Sequence, residues 1–548
     1  MSLRILFFVF FFSGFLNAQI NISQEKSIDS ILSRFSGEKT PGCVLSVLKD
    51  GNVIYAKGYG SANLDYDIPL TPQSVFPVFS LSEQFTAACI SILVAEGKLN
   101  LKDNLRKYLP ELPDFGDTLR VLHLLNHTSG LRDYLGLMDL TGSDINAYYD
   151  ADFALRIVFT SKGLNCKPGT EYISSASDYL LLGELVKRVS SKALPEFARL
   201  NIFEPLGMTN TFFNEDCHQV VKDRACGYKR MSSGSFEMFG VNDDAFGDHG
   251  LFTCTADLSK WDENFKTKKV GGEPMHKILT GSGTMNSNGN GAGAVNWNTA
   301  ETLSGMKTMH IHGQSTGYRT TYYRFPDSGL SIIFLCNRDD ALPGTASLEI
   351  ASLLTPARFK QVNSTAKYKP ALKTLQSYTG NYRMNRSGIT LEMVLRTDTL
   401  KMKGGLGGQE HELLPVAHRS FIRADAAQLQ LMFMQDNRNR NLLVVMNDGN
   451  KAVFYREELP SGGTVELTSY AGTYYCPEWN VSYFIKEENG NLMARLPNGD
   501  TGKLKMGARD EWNVQMDNLQ FIRNPEGKIT GFMLSSKGKV ANIRFNKN

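Results

Sequence analysis

At 548 residues the chain is longer than one hydrophobic core of ~250–300 residues can organise, so two or three domains are expected. Lys and Arg number 59 against 56 Asp and Glu, and the resulting +3 argues against nucleic acid or a charged membrane surface as partner. With 42% hydrophobic and 21% charged residues the composition is that of an ordinary globular protein, and it calls for no cofactor.

Residues 1–18 read as a signal peptide: Arg4, an apolar run from Ile5 to Phe12, then small and polar residues to Ala18. The run is shorter than the ~20 residues of a spanning helix, and no later stretch is apolar for longer, so an exported chain without a transmembrane span is expected, periplasmic or secreted. A hairpin then opens the first domain, with Asp50-Gly51 between two apolar strands. A helical period runs from about Leu81 to Gly97 through Phe85, Cys89, Ile92 and Leu93, which puts Ser80 at a helix start. As a plain structural residue Ser80 would be an N-cap.

Further helical patterns lie near 118–126, 176–190 and 192–200, and the Gly/Asn tract at 281–294 reads as a surface loop. Strand patterns return at Thr320–Phe325 and Leu330–Cys336, followed by a helical run near 343–354. Sheet at both ends with helices between predicts a mixed α/β domain over 22–355 whose terminal strands meet. Residues 356–374 read as a linker. Beyond it Leu375-Gln-Ser-Tyr-Thr-Gly-Asn-Tyr382 returns as Leu467-Thr-Ser-Tyr-Ala-Gly-Thr-Tyr474, which predicts two consecutive small all-β, barrel-like domains over 375–458 and 467–548. Eight cysteines are too few for a disulfide framework, and Cys217 with Cys226 is the one pair placed to bridge.

Six segments, taken in order, carry a resemblance: FSLSEQFTAACISILVAEGKLNLKDNLRKYLPELP around Ser80, LHLLNHTSGLRDY from Leu122, PGTEYISSASDYLLLGELVKRVS from Pro168, NIFEPLGMTNTFF from Asn201, GLFTCTADLSKW from Gly250 and GYRTTYYRFPDSGLSIIFLCNR from Gly317. Together residues 40–345 resemble the serine β-lactamase and penicillin-binding protein family, closest to its class C-like branch. The resemblance implies a mixed α/β domain, an antiparallel sheet beside a helical lobe, with an acyl-transfer site at their junction.

That chemistry requires a nucleophilic hydroxyl, a base, a proton relay and oxyanion donors. The family's S-x-x-K motif falls on Ser80-Leu-Ser-Glu83, so Ser80 holds the nucleophile position while Glu83 replaces the Lys. The Tyr-x-Asn motif falls on Ser174 and Ala176, with Tyr172 two residues earlier. The Lys/His-x-Gly motif, counted back six residues from Gly317, falls on Ile311 and Gly313; a loop one residue shorter would bring His312 there as a remnant. Gly313 and Gln314 are the binding positions of that strand. His310 and His312 share one strand face, but no third ligand accompanies them, so no metal site is expected. His127 belongs to a stretch that the family uses structurally, so packing and hydrogen bonding rather than chemistry are expected of it.

Three functional expectations follow. The first is a catalytically impaired relative whose cleft binds a cell-wall (peptidoglycan-like) peptide, another small acyl compound or a protein partner. The alternative is a working serine hydrolase, an esterase, D-amino-acid peptidase or β-lactamase-like enzyme forming an acyl-enzyme on Ser80. The third assigns function to the two β domains.

Overall fold

The computed structural model describes residues 20–35, 37, 39–281, 297–301, 307–356, 368–404, 409–424, 426–436, 439–447, 450–457, 466–507 and 510–548. The candidate signal peptide, the tract at 282–296 and most of the 356–374 stretch lie outside them.

The hairpin forms as its pattern requires: β1 (Cys43–Lys49) and β2 (Asn52–Tyr59) join through Asp50 and Gly51, both at positive φ, which matches the twist of a two-residue turn. The central sheet adds β3 (Asn298–Glu301), β4 (Lys307–Ser315), β5 (Tyr318–Phe325) and β6 (Leu330–Cys336), in the order β3-β4-β5-β6-β1-β2. β1 and β6 pair antiparallel from Cys43 opposite Cys336, so the two ends of this unit meet. Both central strands are buried on both faces. On one face α1 (Ile22–Ile31) and α6 (Pro343–Leu354) cover a core of Leu45, Val47, Tyr323, Ile332 and Phe334. On the other lies the helical lobe, including α2 (Glu83–Ala95), α3 (Val121–Leu125), α4 (Tyr134–Leu140) and α5 (Ala176–Ser190).

The two repeat copies fold as β units. Eight strands from Gly380 to Arg456 form a closed barrel, and nine from Gly472 to Lys547 form a single sheet, nearly a barrel, whose edge strands are Thr501–Lys503 and Lys505–Met506. The expected bridge is not made: Cys217 and Cys226 are free thiols, Cys217 held by its N–H donating to Asp244 and Cys226 accepting from Asn63. No helix among the described residues is long and apolar enough to cross a membrane.

Candidate active site

The Ser80 turn is pinned from several sides. Phe76–Pro77 pairs antiparallel with Leu251–Thr253, Val78 N donates to Leu251 O at 3.0 Å, and Leu251 N donates back to Ser82 Oγ at 3.1 Å. Between these anchors Phe79 takes φ +47°, a left-handed conformation that costs a side-chain-bearing residue about 1–3 kcal/mol and persists only where surrounding packing imposes it. The chain then tightens into a 3-10 turn, Phe79–Ser82, before widening into α2. The result leaves Ser80 exposed while Leu81, Ser82 and Glu83 are buried.

β4 crosses this turn at Gly313. A Cβ there would stand 2.0 Å from Val78 O, so only glycine allows the approach, and Thr320 Oγ1 on β5 donates to the same carbonyl at 3.3 Å. Ile311 shares the face of Gly313 and is buried in the core of the helical lobe; Gln314, the next residue, is exposed. His312 falls on the opposite face, its ring 5.6 Å from Tyr323 and 5.1 Å from His310, under α1 and α6. Strand alternation thus takes His312 away from Ser80 and leaves Ile311 on the face of Gly313.

The loop before α5 supplies no polar end at the Tyr and Asn positions: Ser174 points to solvent and Ala176 offers a methyl group. Tyr172, two residues earlier, sets its ring edge-on to His127 at 5.8 Å.

His127, expected from the sequence to pack and hydrogen-bond, does both, and it is the centre of a buried charge chain. Its Nε2 lies 3.5 Å from Glu83 Oε2 and its Nδ1 2.9 Å from Asp178 Oδ2, and Ser129 Oγ donates to the other Asp178 oxygen. Burial alone would strip the His127 proton, but the bonds to Asp178 and Glu83 override it and hold the imidazole pKa at about 10. Burial pushes the Glu83 carboxyl above its usual range against the pull of His127, and takes Asp178 to about 6. The signal for this chain was an Asp one turn into α5, which spacing cannot connect to α2.

The second missed group comes from the far end of the molecule. The turn between Ile529–Ser536 and Val540–Lys547 docks on the loop from Arg132 to Gly136. Arg132 donates to Ala541 O at 3.0 Å and Asn542 O at 2.7 Å and pairs with Glu478 at 2.7 Å. Asn165 donates to Lys539 O at 2.7 Å and accepts from Ala541 N at 2.6 Å. So held, Lys539 brings its amine to 3.5 Å from Asp133 Oδ2, the oxygen that also accepts from Ala176 N at 2.8 Å. The Asp133 charge raises the pKa of the half-exposed Lys539, so the amine is a fixed cation, and Glu83 and Asp248 lie within its field.

With a Ser at a strained turn heading a buried helix beside an antiparallel sheet, the chain matches the family model for beta-lactamase in its sequence over residues 28–355. The chain belongs to the beta-lactamase family. Among its relatives, a D-aminopeptidase of Gluconobacter oxydans (strain 621H) is 24% identical over 497 residues, 89% of this chain and 90% of its own. A D-aminopeptidase of Cereibacter sphaeroides (strain KD131 / KCTC 12085) is 25% identical over 537 residues, covering 93% and 96%. The structure of an octameric penicillin-binding protein homologue from Pyrococcus abyssi shares the fold, with TM-score 0.55 and 20% identity over 86% of this chain and 98% of that one.

Proposed function

We propose that this chain is an exported serine hydrolase acting through an acyl-enzyme on Ser80, with a small D-aminoacyl amide or peptide as substrate class. The observation that carries the reading is Glu83, one turn after Ser80 on a buried helix and tied to the His127–Asp178 pair, which gives the nucleophile a carboxylate base in place of the family's amine. The substrate class rests on the D-aminopeptidase relatives, whose similarity covers too much of both chains to leave out either β unit. Export rests on residues 1–18.

In this mechanism Ser80 Oγ attacks the substrate carbonyl, its proton passes to Glu83, and the carbonyl π pair moves onto oxygen. Collapse expels the amine, which leaves with that proton, and water then repeats the sequence to release the acid. Burial helps Glu83 here because it raises a carboxylate's affinity for a proton toward neutrality. Gly313 and Gln314 bound the cleft along β4, where an acyl group would lie. The domains would be cut at 22–355, 375–458 and 467–548, joined by 356–374.

A second reading, a cleft that binds a cell-wall peptide, a small acyl compound or a protein partner without turning it over, is favoured by the side chains at 174, 176 and 311, which offer neither relay nor cation to a substrate. A fluorophosphonate probe separates the two. Labelling of wild type but not of Ser80→Ala, with release of nitroaniline from a D-alanyl nitroanilide, is the expected result; an unlabelled wild type that still binds muropeptides would replace the hydrolase by the binder.

A further inference from the structure

The S-x-x-E turn creates an electrostatic difficulty. A buried Glu without a cation takes up a proton, and a protonated Glu83 can still accept a hydrogen bond from the Ser80 hydroxyl but is too weak a base to take its proton. The groups facing Glu83 are His127 from the loop after α3, Asp178 and Tyr179 from α5, Tyr172 from the loop before it, Asp248 ahead of Leu251–Thr253, and Lys539. Of these His127 is shared between Glu83 and Asp178, so one imidazole serves two carboxylates along that line, and Asp248 has its own partner in His249 at 2.8 Å. Lys539 is the remaining cation facing Glu83.

We infer that Lys539, delivered by the last β unit, supplies across the domain boundary the positive charge that the Ser80 motif has lost, and thereby keeps Glu83 in its proton-accepting form. The argument stands on the docking. Arg132 and Asn165 hold the backbone of residues 539–542 by four hydrogen bonds, the Asn542 side chain donates back to Asn165 O, and an ion pair supports Arg132, so the turn is a built element of this site. Val540 fills the space over Gly136, where a Cβ would meet it at 2.8 Å. The amine reaches Asp133, whose Oδ2 also takes the N–H of Ala176, so the cation stands beside the position where the family carries its Asn. Lys539 is a positioning residue: paired with Asp133 it stays protonated and acts on Glu83 through its field. The inference rests on the hydrolase reading for its catalytic meaning and on the docked turn for its electrostatics.

Two measurements keep those supports apart. The rate of Ser80 labelling by a fluorophosphonate is followed against pH in wild type, Lys539→Met and Lys539→Arg. Loss of the cation moves the acid limb upward by about one pH unit, roughly a tenfold slower reaction on that limb, and Arg restores it. A Lys539→Met profile that falls in height without moving along the pH axis would assign the residue to docking alone and overturn the inference. Infrared spectra at neutral pH need no activity: a protonated-carboxyl carbonyl band that appears in Lys539→Met and vanishes in Lys539→Met/Glu83→Gln supports the inference even if wild type proves inert to the probe, whereas its absence from Lys539→Met rejects it.

Discussion

The two β units begin with the same eight-residue pattern and end in different relations to the rest of the molecule. In each copy a Tyr hydroxyl reaches back four residues: Tyr382 donates to Tyr378 O at 3.0 Å and Tyr474 to Tyr470 O at 2.7 Å. Each first strand pairs with its unit's last, Tyr382 opposite Arg456 and Tyr474 opposite Lys547. The first copy then closes on itself around Leu375, Tyr382, Phe421, Phe433 and Leu443, a core made of its own side chains. The second copy's core takes in Leu137 and Leu140 of α4, and its last hairpin is held by Arg132. A repeat can therefore specify strands and their pairing while side chains outside the shared pattern decide whether a unit's core is its own, as in the barrel, which touches its neighbours through Arg386 with Glu171 and Gly388 N with Met516 O, or shared with the helical lobe, as in the second unit.

Breaking the Arg132 anchor should have the largest effect on this contrast. Arg132→Ala removes the charge partner of Glu478, which keeps only the N–H of Lys162, and the donors to Ala541 O and Asn542 O, which is expected to cost on the order of 3–5 kcal/mol in denaturant unfolding and to release the second unit while the barrel remains protected from hydrogen exchange. Equal stability of the two units in that variant would remove the distinction. Leu137→Ala and Leu443→Ala delete equally buried side chains, each worth roughly 2–5 kcal/mol. Exchange protection should fall in both the helical lobe and the second unit for the first variant, and within the barrel for the second.

The pH dependence should follow the same division. The folded-state pKa of His127 is raised above its unfolded value, so its contribution is fully present below about pH 6.5 and is lost as pH rises through about 10, with a slope of up to ~1.4 kcal/mol per pH unit. His127→Gln should flatten that fall, measured by denaturant midpoints between pH 6 and pH 10; an unchanged slope would mean that the imidazole is neutral in the fold. The smallest effects are expected from Tyr382→Phe and Tyr474→Phe, about 1 kcal/mol each for one hydrogen bond. A cost several times larger in one copy would show that the shared pattern does unequal work in the two units.

Much of the framework is legible because it is local. The Asp50-Gly51 turn, the apolar period of α5 over Ala176–Ser190 and that of α6 over Pro343–Leu354 each sit within a few residues of their own signals. The helix after Ser80 starts two residues later than its apolar period suggests, because the strained turn at Phe79 must first lift Ser80 out of the core. Side-chain identity at Ser80, Glu83, Ala176 and Ile311 is likewise a property of the chain alone.

What the sequence by itself determined is thus the scaffold and the list of groups at its motif positions. Tertiary structure alone decided which other groups join them. His312 left the site once β4's register fixed its alternation, and His127 entered it because α5 brings Asp178 to one side of the ring and α2 brings Glu83 to the other. Lys539 meets Asp133 across 406 residues of chain. A periodic pattern carries no information about such a contact, because the ion pair depends on where two rigid surfaces dock and not on the spacing of residues along either one.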